Sequence, residues 1–165
     1  MTTDAAGPRF SAAALAEYRA LLARYPTRRA ALMPTLWLAQ REFGWLSLPA
    51  MEYVAELMEL PLAWVTSVAS FYTMYWKEPK GRWHIQVCRN LSCALRGAED
   101  LLHALEARLG IHDGERTADG KFSLEEVECL ASCGSAPCLQ VNNDEYHENL
   151  DVPRALALIE RLAGG

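Results

Sequence analysis

Apolar residues recur every three or four positions through the first half of the chain, the spacing of amphipathic helices. Leu15, Tyr18, Leu22 and Tyr25 form one such face, with Ser11 placed to cap it and Pro26 to end it. Leu32, Leu36, Ala39 and Phe43 predict a second helix that stops near Gly44, with Pro34 in its first turn or at a kink. A third helix starts from Ser47, tolerates Pro49 early, and turns Met51, Val54, Ala55 and Met58 inward. A fourth begins near Pro61 and is expected to bury Trp64, Val65 and Val68. Helices this short are marginal alone, so they must pack together or against a partner.

The pattern changes after Lys77-Glu78-Pro79-Lys80-Gly81, which reads as a linker. Trp83–Cys88 is strand-like. Residues 97–109 form an amphipathic helix with Ala98, Leu101, Leu102, Leu105 and Leu109 inward and Gly110 as its stop. Asp119-Gly120 is a hairpin-type turn, and residues 122–128 and Leu139–Val141 read as strands. Asn143-Asp144 is another turn, residues 146–148 suit a short strand, and Asp151 caps a last helix ending near Leu162. The expected class is α+β: a helical lobe over residues 1–81, then a β-α-β-β-α domain over residues 82–165.

With 51% hydrophobic and 22% charged side chains, the 165 residues are ordinary for a globular protein. The net charge of −5 is uneven. Residues 1–81 carry one more base than acid, whereas residues 82–165 carry six more acids than bases. A sequence pI near 5.4 argues against nucleic acid as a partner. Met1-Thr2-Thr3-Asp4 lacks the basic and apolar regions of a secretory leader, and no apolar run approaches a membrane span. The expectation is a protein in a reducing compartment, where clustered cysteines more often bind metal or do redox chemistry than form disulfides.

All five cysteines lie in the second half: Cys88 and Cys93 spaced C-x4-C, Cys129 and Cys133 spaced C-x3-C, and Cys138. Each pair sits where a strand ends, so two loops can present thiolates to one object. Four thiolates satisfy a [2Fe–2S] cluster or a structural zinc, and unliganded buried thiols are the third reading. The lack of C-x-x-C argues against a thioredoxin-type dithiol, and the lack of C-x-H against a Rieske centre. Asn90-Leu91-Ser92 and Gly134-Ser135 leave backbone N–H groups available to cluster sulfurs, and Leu91, Ala94 and Leu95 are placed to shield them. Glu125, Glu126 and Glu128 suggest a negative field that lowers a reduction potential. Cys138, after Pro137 at the start of an apolar strand, reads as a packed thiol. His84, His103, His112 and His147 show no ligand spacing and read as surface or satisfied strand residues. Phe71, Tyr72, Tyr75 and Trp76 read as core or partner interface.

From about Tyr18 to Leu162 the chain resembles the NuoE family, the thioredoxin-like [2Fe–2S] ferredoxin subunits of bacterial NADH:quinone oxidoreductase (complex I). The resemblance is carried by Glu42-Phe43-Gly44-Trp45, Ala69-Ser70-Phe71-Tyr72, Gln86-Val87-Cys88, Asn90-Leu91-Ser92-Cys93, Gly97-Ala98-Glu99-Asp100-Leu101, Glu126-Val127-Glu128-Cys129-Leu130 and Ala136-Pro137. It implies a thioredoxin-like second lobe and cluster ligands at Cys88, Cys93, Cys129 and Cys133. It implies a partner of the NuoF type, the FMN-containing NADH-binding subunit, within a larger respiratory complex. It implies a cytoplasmic place in the peripheral arm of that membrane-associated complex, without insertion of this chain. Related modules serve NAD-reducing hydrogenases and NAD-dependent formate dehydrogenases; a zinc-stabilised interaction module is the rival of another class. Ala131-Ser132 departs from the Gly-Ala common in the family, and Cys138 stands where another residue is usual. The chain has no Gly-rich phosphate loop, so NADH and FMN are expected on the partner.

Overall fold

A computed structural model describes residues 7–165. The reading of residues 1–4 as lacking a leader lies outside the described residues. The chain divides into two compact units, one running to Pro79 and the other Lys80–Gly165.

The first unit is helical: α1 (Ala12–Leu22), α2 (Leu32–Phe43), α3 (Leu48–Met58) and α4 (Leu62–Phe71). Ser11 and Ser47 cap α1 and α3, each accepting at 3.2 Å from the backbone N–H three residues on. Gly44 ends α2 in the left-handed region at φ 83°. A 3-10 turn, Arg29–Ala31, leads into α2, and Pro34 lies in the first turn of α2. The core gathers Tyr18, Leu36, Val54, Met58, Val65 and Tyr75. Trp64, expected inside, is 37% exposed. The Arg29 guanidinium lies 3.2 Å from its ring centroid, and this cation–π contact covers the face the core does not take.

Gln40 and Thr35 are buried polar residues of that unit. The Gln40 side chain donates to Met74 O at 2.9 Å and accepts from Trp76 N–H at 2.6 Å. The Tyr75 hydroxyl donates to Met33 O at 2.8 Å. These bonds hold the segment after α4 against α2.

The second unit has a four-stranded sheet in the order β2-β1-β3-β4, with β1 (Trp83–Cys88), β2 (Phe122–Val127), β3 (Leu139–Val141) and β4 (Glu145–His147). β2 runs parallel to β1; β3 is antiparallel to β1, and β4 to β3. The crossover between the parallel strands carries α6 (Ala98–Leu109), and α7 (Val152–Gly164) follows β4. Ile85, Leu101, Leu105, Leu124, Leu139 and Ile159 form the core between sheet and helices. The order is β-α-α-β-β-β-α, the expected β-α-β-β-α with two additions: β4, close to the short strand read at residues 146–148, and the five-residue α5 (Leu91–Leu95). A helix of little more than one turn has too few residues to show a period. Its signal is Asn90, whose side chain accepts from Leu91 N–H at 2.9 Å.

Lys80 and Gly81 belong to this second unit. Lys80 Nζ lies 3.1 Å from Glu125, and Gly81 N–H donates to Ser123 Oγ at 2.9 Å. A Cβ on Gly81 would meet Phe122 C at 2.4 Å, so only glycine lets the chain run this close to β2. His84 is fully buried, with Nδ1 2.8 Å from Ser123 Oγ and Nε2 3.0 Å from Glu125. It is a satisfied strand histidine. Since the Glu125 carboxylate only accepts, Nε2 carries the proton and Nδ1 accepts from the Ser123 hydroxyl.

Candidate metal centre

The cysteines collect at one end of the sheet because β1 and β2 are parallel and end together. Cys88 is the last residue of β1, paired with Val127, the last of β2. Beyond these residues the two chain segments turn away from the sheet. One becomes α5, which carries Cys93. The other becomes the loop holding Cys129 and, in a short 3-10 turn (Cys133–Ser135), Cys133. Cys138 enters from the residue just before β3, its carbonyl accepting from Cys88 N–H at 3.2 Å.

Cys88, Cys93 and Cys138 are buried, and their Sγ atoms all lie within 4.8 Å of one another. Cys129 and Cys133 are exposed, with Sγ atoms 3.4 Å apart. The four residues expected as ligands thus form a buried pair and an exposed pair on facing loops. Leu130 joins them, because its backbone N–H points at the Cys88 sulfur, as does that of Asn90. Burial pushes the Cys88 thiol up, but these donors outweigh it and bring the group below its ordinary value. Cys93 is pushed up by burial, Cys133 by the neighbouring Cys129 thiol, and Cys138 by burial.

Side chains fix the loops. Arg89 Nε donates to Glu128 at 3.1 Å and its guanidinium lies 3.6 Å from Glu126, while Asn90 Nδ2 donates to Glu128 at 3.2 Å. The hydroxyls of Ser132 and Ser135 both donate to Glu148, the latter at 2.6 Å. Arg96 Nε donates at 2.7 Å to the carbonyl of Ala136, whose bond to Pro137 is cis. Ala131 takes a left-handed conformation, φ 62°, which aims its N–H at Cys129 Sγ, 3.3 Å away.

Two sequence expectations change here. The field expected from three carboxylates is partly offset, since Lys80 pairs with Glu125 and one guanidinium, that of Arg89, lies beside both Glu126 and Glu128. Leu91 and Leu95 are 70% and 78% exposed, so on this chain they form an apolar surface beside the site. The spacing did not reveal Arg89, Glu148 or Arg96, because their partners are distant in sequence.

Four thiols on two facing loops, with backbone N–H groups aimed at their sulfurs, suit an anionic sulfur-rich centre. Fold and donor set define an iron–sulfur protein of thioredoxin-like architecture. The family model of the thioredoxin-like [2Fe-2S] ferredoxins matches residues 18–163. The chain is 51% identical to the second E-type subunit of the NADH-quinone oxidoreductases of Rhizobium meliloti (strain 1021) over 144 residues, 87% of this chain and 85% of the relative. It is 46% identical to the E-type subunit of the NADH-quinone oxidoreductase of Rickettsia bellii (strain RML369-C), with 86% of each covered. Among solved structures, air-oxidised NAD+-reducing [NiFe]-hydrogenase superposes with a TM-score of 0.70 at 26% identity. That match covers 81% of this chain and 23% of the hydrogenase chain. The protein belongs to the thioredoxin-like [2Fe–2S] ferredoxin family.

Proposed function

We propose that this chain holds one [2Fe–2S] cluster on Cys88, Cys93, Cys129 and Cys133 and serves as an electron-transfer subunit of NADH:quinone oxidoreductase. The observation that carries the reading is the pair of facing loops at the shared end of β1 and β2, each supplying two thiols and backbone N–H donors. When bound, the cluster takes up and returns one electron at a time. The chain's part is to hold and tune it. Cys88 and Cys93 keep one side away from water; the N–H groups of Asn90, Leu130 and Ala131 stabilise anionic sulfur. Arg89 moderates the charge of Glu126 and Glu128. The exposed Cys129 and Cys133 side, flanked by Leu91 and Leu95, is where a partner's redox group would approach.

That partner is an FMN-containing, NADH-oxidising subunit of the NuoF type, in the peripheral arm of a membrane-associated complex. Among the described residues no helix is long and apolar enough to cross a membrane. α4 offers a docking face in the first unit: residues 60–76 carry no charge, and Phe71 is 78% exposed. A diaphorase role in a hydrogenase is the second reading, favoured by the 0.70 superposition. The higher identity to the oxidoreductase subunits favours the first.

Visible absorption, EPR after reduction, and iron and sulfide analysis of the full chain test the ligand set. Serine at any of the four positions should abolish or reshape the spectrum, while Cys138→Ala keeps it. A colourless zinc protein would overturn the cluster, and loss of colour in Cys138→Ala would overturn the ligand assignment.

A further inference from the structure

Cys138 is the thiol the proposed ligand set leaves over, yet it does not sit apart from the site. It lies 3.9 Å, Sγ to Sγ, from Cys93, and it completes with Cys88 and Cys93 a group whose sulfurs all fall within 4.8 Å. The three come from separate places: the end of β1, the short helix α5, and the residue before β3. Around them pack Ala98, Ala136 and Leu130. No imidazole or carboxylate belongs to the group.

We propose that the chain without its cluster has a second metal-binding mode, in which Cys88, Cys93 and Cys138 hold one copper(I) ion through three thiolates. Three sulfurs arranged trigonally about 2.3 Å from a metal lie about 4.0 Å from one another. The Cys93–Cys138 separation already has that value, and the upper limit for the others requires only a sub-ångström closure. Soft, all-sulfur donors select copper(I), which accepts three-coordinate thiolate sites. Zinc wants four ligands, and the buried group supplies three. Binding replaces three S–H bonds by three Cu–S bonds and releases three protons to solvent. Copper enters and stays as copper(I), so no electron is transferred. Because two of these thiols also belong to the proposed cluster set, the two modes are mutually exclusive. Copper(I) would compete with cluster insertion at Cys88 and Cys93, with Cys138 as the residue that makes the competitor strong.

The inference shares two residues with the cluster reading, and the tests separate them. The full chain, prepared cluster-free under anaerobic conditions, is titrated with copper(I) against bathocuproine disulfonate. Wild type should retain one copper per chain, and the Cys129→Ser/Cys133→Ser double variant should retain it equally, although it cannot take the proposed cluster. Cys138→Ala and Cys138→Ser should each weaken copper retention about tenfold or more, while still taking up the cluster with the wild-type visible spectrum, which also shows that they fold. Copper-edge X-ray absorption should report three sulfur neighbours. Wild-type copper affinity in both Cys138 variants, loss of copper in the double variant, or two sulfur neighbours would each overturn the site. Failure of wild type to form an iron–sulfur chromophore would overturn the cluster reading alone, since copper retention is read separately.

Discussion

Ala131 is a non-glycine residue in the left-handed region, where a Cβ costs about 1–2 kcal/mol. A glycine at this position meets no such cost. Ala131→Gly gives back part of the gain through the greater freedom of the unfolded chain, about 0.4–1 kcal/mol. The expected net effect is a stabilisation of about 0.5 kcal/mol in chemical denaturation, with the cluster spectrum unchanged. Arg89 acts through charge. It lies 3.1 Å from Glu128 and 3.6 Å from Glu126, beside a proposed ligand. Arg89→Gln leaves both carboxylates uncompensated, and a partly solvated charge at this range is worth on the order of tens of millivolts. The midpoint potential, measured by a redox titration of the visible spectrum, should move to more negative values. The Glu126→Gln/Glu128→Gln pair should move it upward.

At the scale of elements, β1 and β2 are joined by more than their ladder. The chain Gly81–Ser123–His84–Glu125–Lys80 runs beside them. The hydrogen bond from His84, aided by Lys80 and opposed by burial, brings the Glu125 carboxyl from an ordinary 4.5 to about 2. Its contribution is therefore present above pH 4.5 and lost as the pH falls toward 2. Burial holds His84 below its ordinary 6.5, so the unfolded chain takes up that proton first and stability also declines below pH 6.5. Both groups act in the same direction. Urea midpoints should fall from about pH 7.5 to about 5.5 and again to about 4, and Glu125→Gln should flatten the more acidic part of the decline. In the helical unit, the joint between α2 and the segment after α4 depends on Gln40. Gln40→Ala removes the bonds to Met74 O and Trp76 N–H together, at a cost of about 2 kcal/mol. A thermal melt of the variant, lowered by several degrees, checks this.

At the scale of the molecule, the polarity of surfaces bears on assembly. α4 presents Leu62 and Phe71 to solvent, with Tyr72 just after it, in a stretch of sequence without a charged side chain. Phe71 contributes little to the core, so Phe71→Glu should change stability by no more than about 0.5 kcal/mol. It should leave the visible spectrum intact and weaken co-purification with the flavin-bearing subunit about tenfold or more, as the loss of a central aromatic anchor does. Undiminished co-purification would remove α4 from the docking face.

Much of this was local information. Ser11, Ser47 and Asp151 cap the helices they were expected to cap, and Gly44 and Gly110 end theirs in the left-handed region, because caps bond to residues three or four positions away. The cysteine pairs could be read at strand ends because alternation shows where a strand stops. Other features depended on residues far apart in sequence. β2 joins β1 in parallel across more than thirty residues, which places the second pair of thiols against the first. Arg29 stacks on Trp64, His84 is satisfied by Ser123 and Glu125, and the charge of the three glutamates is partly offset by Lys80 and Arg89. Sequence alone determined the elements other than the short α5, the lobe order and the cysteine chemistry, since propensity, periodicity and ligand type are properties of short segments. Only tertiary structure decided which thiols share a buried pocket, Cys138 among them, because that follows from where β1, α5 and β3 converge.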